Sequence, residues 1–133
     1  MISLLYRAAD ALRRRKLRNN HGRLGEDLAH RYLRSQGCTI VARNYRPRGG
    51  AGEIDLVARQ AGRLLFVEVK TRASADFGAP EAAVDLEKRK TLRHAARDYA
   101  RRANFEWLRT RFDIVSIVLT TPPQIDWIRD AFR

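Results

Sequence analysis

At 133 residues the chain is long enough for one domain with its own core, and no composition break or long linker marks a second. Its 27 Lys and Arg against 15 Asp and Glu leave a formal charge of +12, which calls for a polyanionic partner: nucleic acid, or an anionic membrane surface. The single Cys38 excludes an internal disulfide and fits a cytoplasmic protein, His21, His30 and His94 give no zinc-ligand spacing, and no apolar run approaches the ~20 residues of a transmembrane segment.

Residues 1–20 read as a basic amphipathic extension. Ile2, Leu5, Ala9 and Leu12 form a helical apolar stripe that runs into Arg13-Arg14-Arg15-Lys16-Leu17-Arg18. The basic run follows the apolar stretch, the reverse of a secretory signal, so the segment is expected to touch nucleic acid or a membrane surface, or to be a solvated extension. Residues 21–133 read as a single domain. From His21 to Gln36 the apolar spacing of Leu24, Leu28 and Tyr32 predicts a helix, capped at Asn20 and stopped by Gly37. Thr39 to Tyr45 alternates as a first strand. The loop Arg46-Pro47-Arg48-Gly49-Gly50-Ala51-Gly52 is rich in Gly, but no Gly-Lys-Ser/Thr follows and the next element is a strand, so it fails as a nucleotide-phosphate motif.

Gly52-Glu53-Ile54-Asp55-Leu56-Val57 and Phe66-Val67-Glu68-Val69-Lys70-Thr71-Arg72 read as two strands joined by a tight turn at Ala61-Gly62. Counting outward from a Gln60–Arg63 pair sets Ala58 against Leu65, Leu56 against Val67 and Ile54 against Val69, an apolar face expected to meet the core. The other face pairs Val57 with Phe66, Asp55 with Glu68, and Glu53 with Lys70. Facing side chains have Cβ atoms roughly 4.5–5.5 Å apart, so Asp55 and Glu68 repel unless a positive charge sits between them. A divalent cation such as Mg²⁺, or Mn²⁺, suits two carboxylates on neighbouring strands. Lys70 then stands where its ammonium can act on a water or a phosphate. The plainer alternative is a strand end with two salt bridges, Glu53 to Lys70 and Asp55 to Arg72.

Pro80 is expected in the first turn of a long helix from Glu81 to Ala103. Its Arg89, Arg93, Arg97 and Arg101 recur every four residues with Lys88, Lys90 and Arg102 nearby, and like charges at that spacing destabilise a helix, which suggests a phosphate-binding stripe. Phe112 to Leu119 reads as a strand buried on both faces, parallel to the Glu68 strand because a helix connects them. After Pro122-Pro123, Ile125, Trp127, Ile128 and Phe132 supply a last apolar element.

The resulting order, αβββαβ with Glu68-Val69-Lys70 as a Glu-x-Lys triplet, resembles the PD-(D/E)xK superfamily of restriction-endonuclease-like proteins. With Gly25-Glu26 and Ala42-Arg43-Asn44-Tyr45-Arg46 added, the motifs from Gly22 to Leu119 resemble the YraN family of predicted endonucleases, similar to archaeal Holliday junction resolvases. The resemblance implies an α/β fold with a mixed four-stranded sheet flanked by helices, and residues 21–133 as one nuclease-like domain. It implies catalytic Glu26, Asp55, Glu68 and Lys70, with Asp55, Glu68 and Glu26 at a Mg²⁺ site. The expected partner is DNA, contacted by Arg72, Arg89, Lys90, Arg93, Arg97 and Arg101, and a junction substrate would call for a homodimer. A nucleic-acid-binding module without catalysis is the alternative, and a membrane-surface protein anchored by the N-terminal helix a third reading.

Overall fold

The computed structural model describes residues 20–74 and 84–133; the N-terminal extension before Asn20 and the segment holding Pro80 and Glu81 lie outside the described residues. Helix α1 covers residues 20–35, so Asn20 lies within the helix and is not its cap. The helix stops where expected. Gly37 takes φ +91, its N–H donates to the Arg34 carbonyl (3.1 Å) and the Cys38 N–H to the Leu33 carbonyl (3.0 Å), a Schellman ending that only glycine adopts without strain.

Strands β1 (Thr39–Tyr45), β2 (Ile54–Gln60), β3 (Arg63–Arg72), β4 (Thr110–Val118) and β5 (Gln124–Phe132) form one sheet in that spatial order, with helix α2 (Leu86–Arg102) between β3 and β4. The β3–β4 pair is parallel, as a helical crossover requires, and the others are antiparallel. The sheet therefore has five strands where the sequence predicted four. The last apolar element is β5. Ile125 and Trp127 pack on the α1 side, and Ile128 and Phe132 on the α2 side. A register shift against Phe112 and Ile114 interrupts the alternation further, so no simple period of two marks the segment as a strand.

The predicted hairpin register holds from Gln60–Arg63 to Leu56–Val67. Ala61 (φ +51) and Gly62 (φ +75) make a two-residue turn with both residues left-handed, the form whose twist matches the strands. Both faces of this hairpin are covered, which corrects the single core face expected. Leu56, Ala58, Leu65 and Val67 pack under α1 with Ala29 and Leu33. Val57, Leu64 and Phe66 pack under α2 with Leu92, Ala95, Ala96 and Ala100. Each such fully buried large aliphatic or aromatic side chain contributes about 1.5–3 kcal/mol. Ile54 joins the α2 side instead of the Leu56 face, because β2 and β3 diverge beyond the Leu56–Val67 pair and the pleat no longer dictates the face.

Helix α2 starts later than predicted. Asp85 holds extended dihedrals and its carboxylate accepts the Lys88 N–H at 2.9 Å, a side-chain cap that sets the first turn at Leu86. No helix among the described residues is long and apolar enough to cross a membrane.

Candidate active site

Past the Leu56–Val67 pair the two central strands separate, and Asp55 fills the gap. Its Oδ2 accepts the backbone N–H of Val69 at 2.8 Å, so a side chain satisfies a donor there. Glu68, on β3, is only 6% exposed. Burial and the neighbouring Glu68 charge push the Asp55 carboxyl up to about 8, with the Val69 hydrogen bond opposing them. Two acids in one half-dry site thus hold a proton, or need a cation.

Two lysines answer that charge. Lys70 Nζ lies 3.6 Å from Glu68 Oε1, and Lys88 Nζ, from the first turn of α2, lies 2.5 Å from the same oxygen. Burial and the adjacent Lys88 lower the Lys70 ammonium below its ordinary range. For Lys88 burial acts in the same direction, but hydrogen bonding and attraction to Glu68 outweigh it and hold the group above its ordinary value.

Glu26 reaches this neighbourhood from α1. A Cβ on Gly25 would fall 1.8 Å from Thr71 Oγ1, so only glycine lets α1 lie this close to β3. The Glu26 carboxyl is raised, first by burial, against the pull of Asn44 and Arg43. Asn44 takes φ +52, a left-handed conformation that Asn tolerates better than most residues. With its amide nitrogen toward the acids it donates to Glu53 Oε1 (2.8 Å) and to both Glu26 oxygens (3.2 Å each). Glu53 also pairs with Arg46 at 3.1 Å. The predicted Glu53–Lys70 partnership is therefore not the one formed: Arg46 and Asn44 take Glu53, and Lys70 turns to Glu68.

The structure brings Glu26, Asp55, Glu68 and Lys70 into one electrostatic cluster, since the charges of Glu68 and Glu26 both act on Asp55. Among the described residues no three acidic or imidazole groups stand close enough to form a ready three-ligand cage. Asp55 and Glu68 amount to a two-carboxylate half-site, with Glu26 engaged by Asn44 and by Arg43 at 3.7 Å. That donor set fits Mg²⁺, which takes one or two protein carboxylates and keeps much of its water.

The α2 arginines divide. Arg89 lies over the Phe132 ring (5.5 Å to the centroid), Arg97 over Trp107 (4.6 Å), and Arg93 donates to the Arg133 carbonyl at 2.6 Å. Arg93 and Arg97 also line a cavity of ≈ 280 Å³ with Trp107, Phe112, Phe132 and Arg133. Arg101 and Lys90 are exposed to solvent, and the Arg101 guanidinium sits 3.5 Å from Asp98. Arg72 ends β3, and its carbonyl accepts the Leu119 N–H at 2.8 Å. The Gly-rich loop packs on α2: a Cβ on Gly52, at φ +100, would fall 2.8 Å from the Thr91 carbonyl.

Two residues of the cluster, Lys88 and Asn44, are not assigned to the acid site by the sequence, which offers Lys88 only beside the basic stripe of the helix and Asn44 only within the Ala42–Arg46 motif. Lys88 lies 20 positions after Glu68 across a helix connection, so no strand register could pair them; Asn44 lies near the end of a strand, and nothing in the spacing of its motif shows that its amide reaches Glu26 and Glu53.

A family model described as Uncharacterised protein family UPF0102 matches residues 25–117. The UPF0102 protein of Solibacter usitatus (strain Ellin6076) is 69% identical over 132 residues, 99% of this chain and 100% of the relative. The chain belongs to the UPF0102 family. This is the YraN family to which the motifs pointed. The UPF0102 protein of Rhodococcus opacus (strain B4) is 44% identical over 113 residues, covering 84% of this chain and 94% of its own. That of Geobacter sulfurreducens is 42% identical over 111 residues, 82% of this chain and 85% of its own. The span matched by the UPF0102 model holds Glu26, Asn44, Asp55, Glu68, Lys70 and Lys88.

Proposed function

We propose that this UPF0102 chain is a metal-dependent endonuclease with a restriction-endonuclease-like core, hydrolysing DNA phosphodiester bonds at branched or junction structures. The observation that carries the reading is the acid pair: Asp55, pushed up to about 8, beside a buried Glu68 with Lys70 within reach. A perturbed acid beside a buried carboxylate that meets a lysine is an arrangement that strand packing does not require.

Asp55 and Glu68 would hold Mg²⁺, or Mn²⁺ in its place. Bound there, the cation supplies charge neutralisation at the phosphate and a more acidic water. Lys70 orients the attacking water and offsets the charge that grows on the phosphate oxygens. Glu26, positioned by Asn44, adds negative charge behind Asp55 and strengthens its hold on a cation. The basic side chains of α2 and β3, namely Arg72, Arg89, Lys90, Arg93, Arg97 and Arg101, supply phosphate contacts along the duplex. A junction substrate has two strands to cut, which a homodimer would present with paired sites.

One observation favours a second reading. The Lys88 ammonium, 2.5 Å from Glu68 Oε1, can itself neutralise that carboxylate, as a nucleic-acid-binding module on a retired nuclease scaffold would require. Incubating end-labelled four-way junction, flap, duplex and single-stranded DNA with the protein in Mg²⁺, Mn²⁺ or EDTA separates the two. Cation-dependent cutting supports the nuclease; binding to the same panel with no cutting in either cation supports the module.

A further inference from the structure

Two ammonium groups converge on one carboxylate oxygen. Lys70 Nζ stands 3.6 Å and Lys88 Nζ 2.5 Å from Glu68 Oε1. They reach it from different elements: Lys70 from the same strand, two residues on, and Lys88 from α2 in the layer above the sheet. The Lys88 side chain is 39% exposed against 20% for Lys70, so Lys88 is the group with room to withdraw toward solvent. A buried carboxylate beside a second acid needs a counter-charge at all times. A divalent cation on Glu68 and an ammonium at 2.5 Å from the same oxygen would repel each other strongly, so the two compete for it. Lysine suits such an exchange, being a compact charge on a flexible stem.

We propose that Lys88 is an exchangeable counter-ion: it neutralises Glu68 while no divalent cation is bound, yields that carboxylate when one arrives, and is thereby freed to hold a backbone phosphate of the nucleic acid. The proposal rests on reading Asp55 and Glu68 as cation ligands. It makes cation binding and phosphate binding mutually reinforcing, since each removes Lys88 from the position that the other needs vacated. It also gives a reason for α2 to begin at Leu86: the Asp85 cap fixes the turn from which Lys88 reaches Glu68.

The test is Mn²⁺ binding measured on wild type, Lys88→Gln and Lys88→Arg by the loss of the free-ion resonance signal, with DNA binding followed by anisotropy in EDTA and in Ca²⁺ under conditions where no cutting occurs. Lys88→Gln is expected to bind Mn²⁺ at least about tenfold more tightly, the effect of removing one competing charge from a half-buried site, and Lys88→Arg to stay near wild type. DNA affinity should drop about fivefold in Ca²⁺ for Lys88→Gln and stay level in EDTA, where Lys88 is held by Glu68. Lys88→Met, which keeps the apolar stem, takes the place of Lys88→Gln should the latter fail to fold. Unchanged or weaker Mn²⁺ binding by a folded charge-removing variant overturns the inference, as does an equal loss of DNA affinity in EDTA. A wild type that binds Mn²⁺ and cuts DNA alongside such a variant sinks only the role of Lys88; a wild type that binds no Mn²⁺ removes it together with the nuclease reading.

Discussion

Asp55 is where the chemistry of the site becomes a stability effect. Its ordinary carboxylate value is 3.8, and in the fold it is pushed up to about 8 by burial and by Glu68. A raised acid favours the protonated form in the folded state, so its contribution is fully present below about pH 4 and is lost as pH rises through about 8. In EDTA, urea midpoints of the wild type should therefore fall across that window relative to Asp55→Asn, which has no proton to lose, and added Mg²⁺ should restore the loss near pH 8. Parallel midpoints for the two proteins would contradict the placement of Asp55 beside Glu68. Asp113 is a second buried acid with a different task. It is fully buried, receives Arg111 at 2.9 Å, Trp127 Nε1 at 2.9 Å and the backbone N–H of Asp130 at 3.0 Å, and thereby ties β4 to the bulge of β5. Asp113→Ala strands the Arg111 guanidinium and two further donors, and should cost about 3–5 kcal/mol in a denaturant titration. Of these residues the sequence announced Asp55 and Glu68 as a facing pair counted from the two-residue turn, yet the paired ladder ends at Leu56–Val67 and Asp55 instead accepts the Val69 N–H, so the two acids are neighbours without being a strand pair. The placement of Lys88 and Asn44 at the acids was not legible, because a helix crossover and a left-handed backbone leave no period to count.

The hairpin of β2 and β3 and the close seat of α1 decide whether the acids meet. Ala61 occupies a left-handed turn position at φ +51, where a side chain strains the backbone. Ala61→Gly should stabilise the protein by about 1 kcal/mol, seen as a higher melting temperature with cleavage unaltered. A melting temperature that falls would mean that the turn is not the one described. Gly25 is the opposite case. Any Cβ there collides with Thr71, so Gly25→Ala must push α1 off β3, and such overpacking costs about 1–3 kcal/mol while displacing Glu26. The elements themselves were legible where one period dominated: α1, β1, the hairpin register from Gln60–Arg63 to Leu56–Val67 and the parallel β4 all follow from spacing. The fifth strand was not, since β5 buries residues toward both helices and carries a bulge. The start of α2 lies beyond the sequence expectation because Pro80 and Glu81 look like a helix entry, whereas the local hydrogen bond of Asp85 caps the chain later.

For the molecule as a whole, a formal charge of +12 on 133 residues would attract a polyanion such as the proposed nucleic acid. Much of the α2 stripe that looks free in sequence is engaged with rings: Arg89 and Arg97 cover Phe132 and Trp107. The exposed Lys90 and Arg101 are thus the cleaner probes of phosphate contact. Replacing both by Gln should reduce the slope of log affinity against log salt by about 0.9 for each duplex phosphate that is no longer neutralised. An unchanged slope would remove this helix from the nucleic-acid surface. The span matched by the UPF0102 family encloses every acid and lysine of the cluster. If Asp55 and Glu68 hold a divalent cation for phosphodiester hydrolysis, the comparison to make is cleavage of labelled branched DNA in Mg²⁺ by wild type and Glu68→Gln purified side by side. The expected result is cutting by the wild type that EDTA abolishes, a loss of about 10²–10³-fold or more in the variant, and undiminished DNA binding. Equal cutting by both proteins would contradict it.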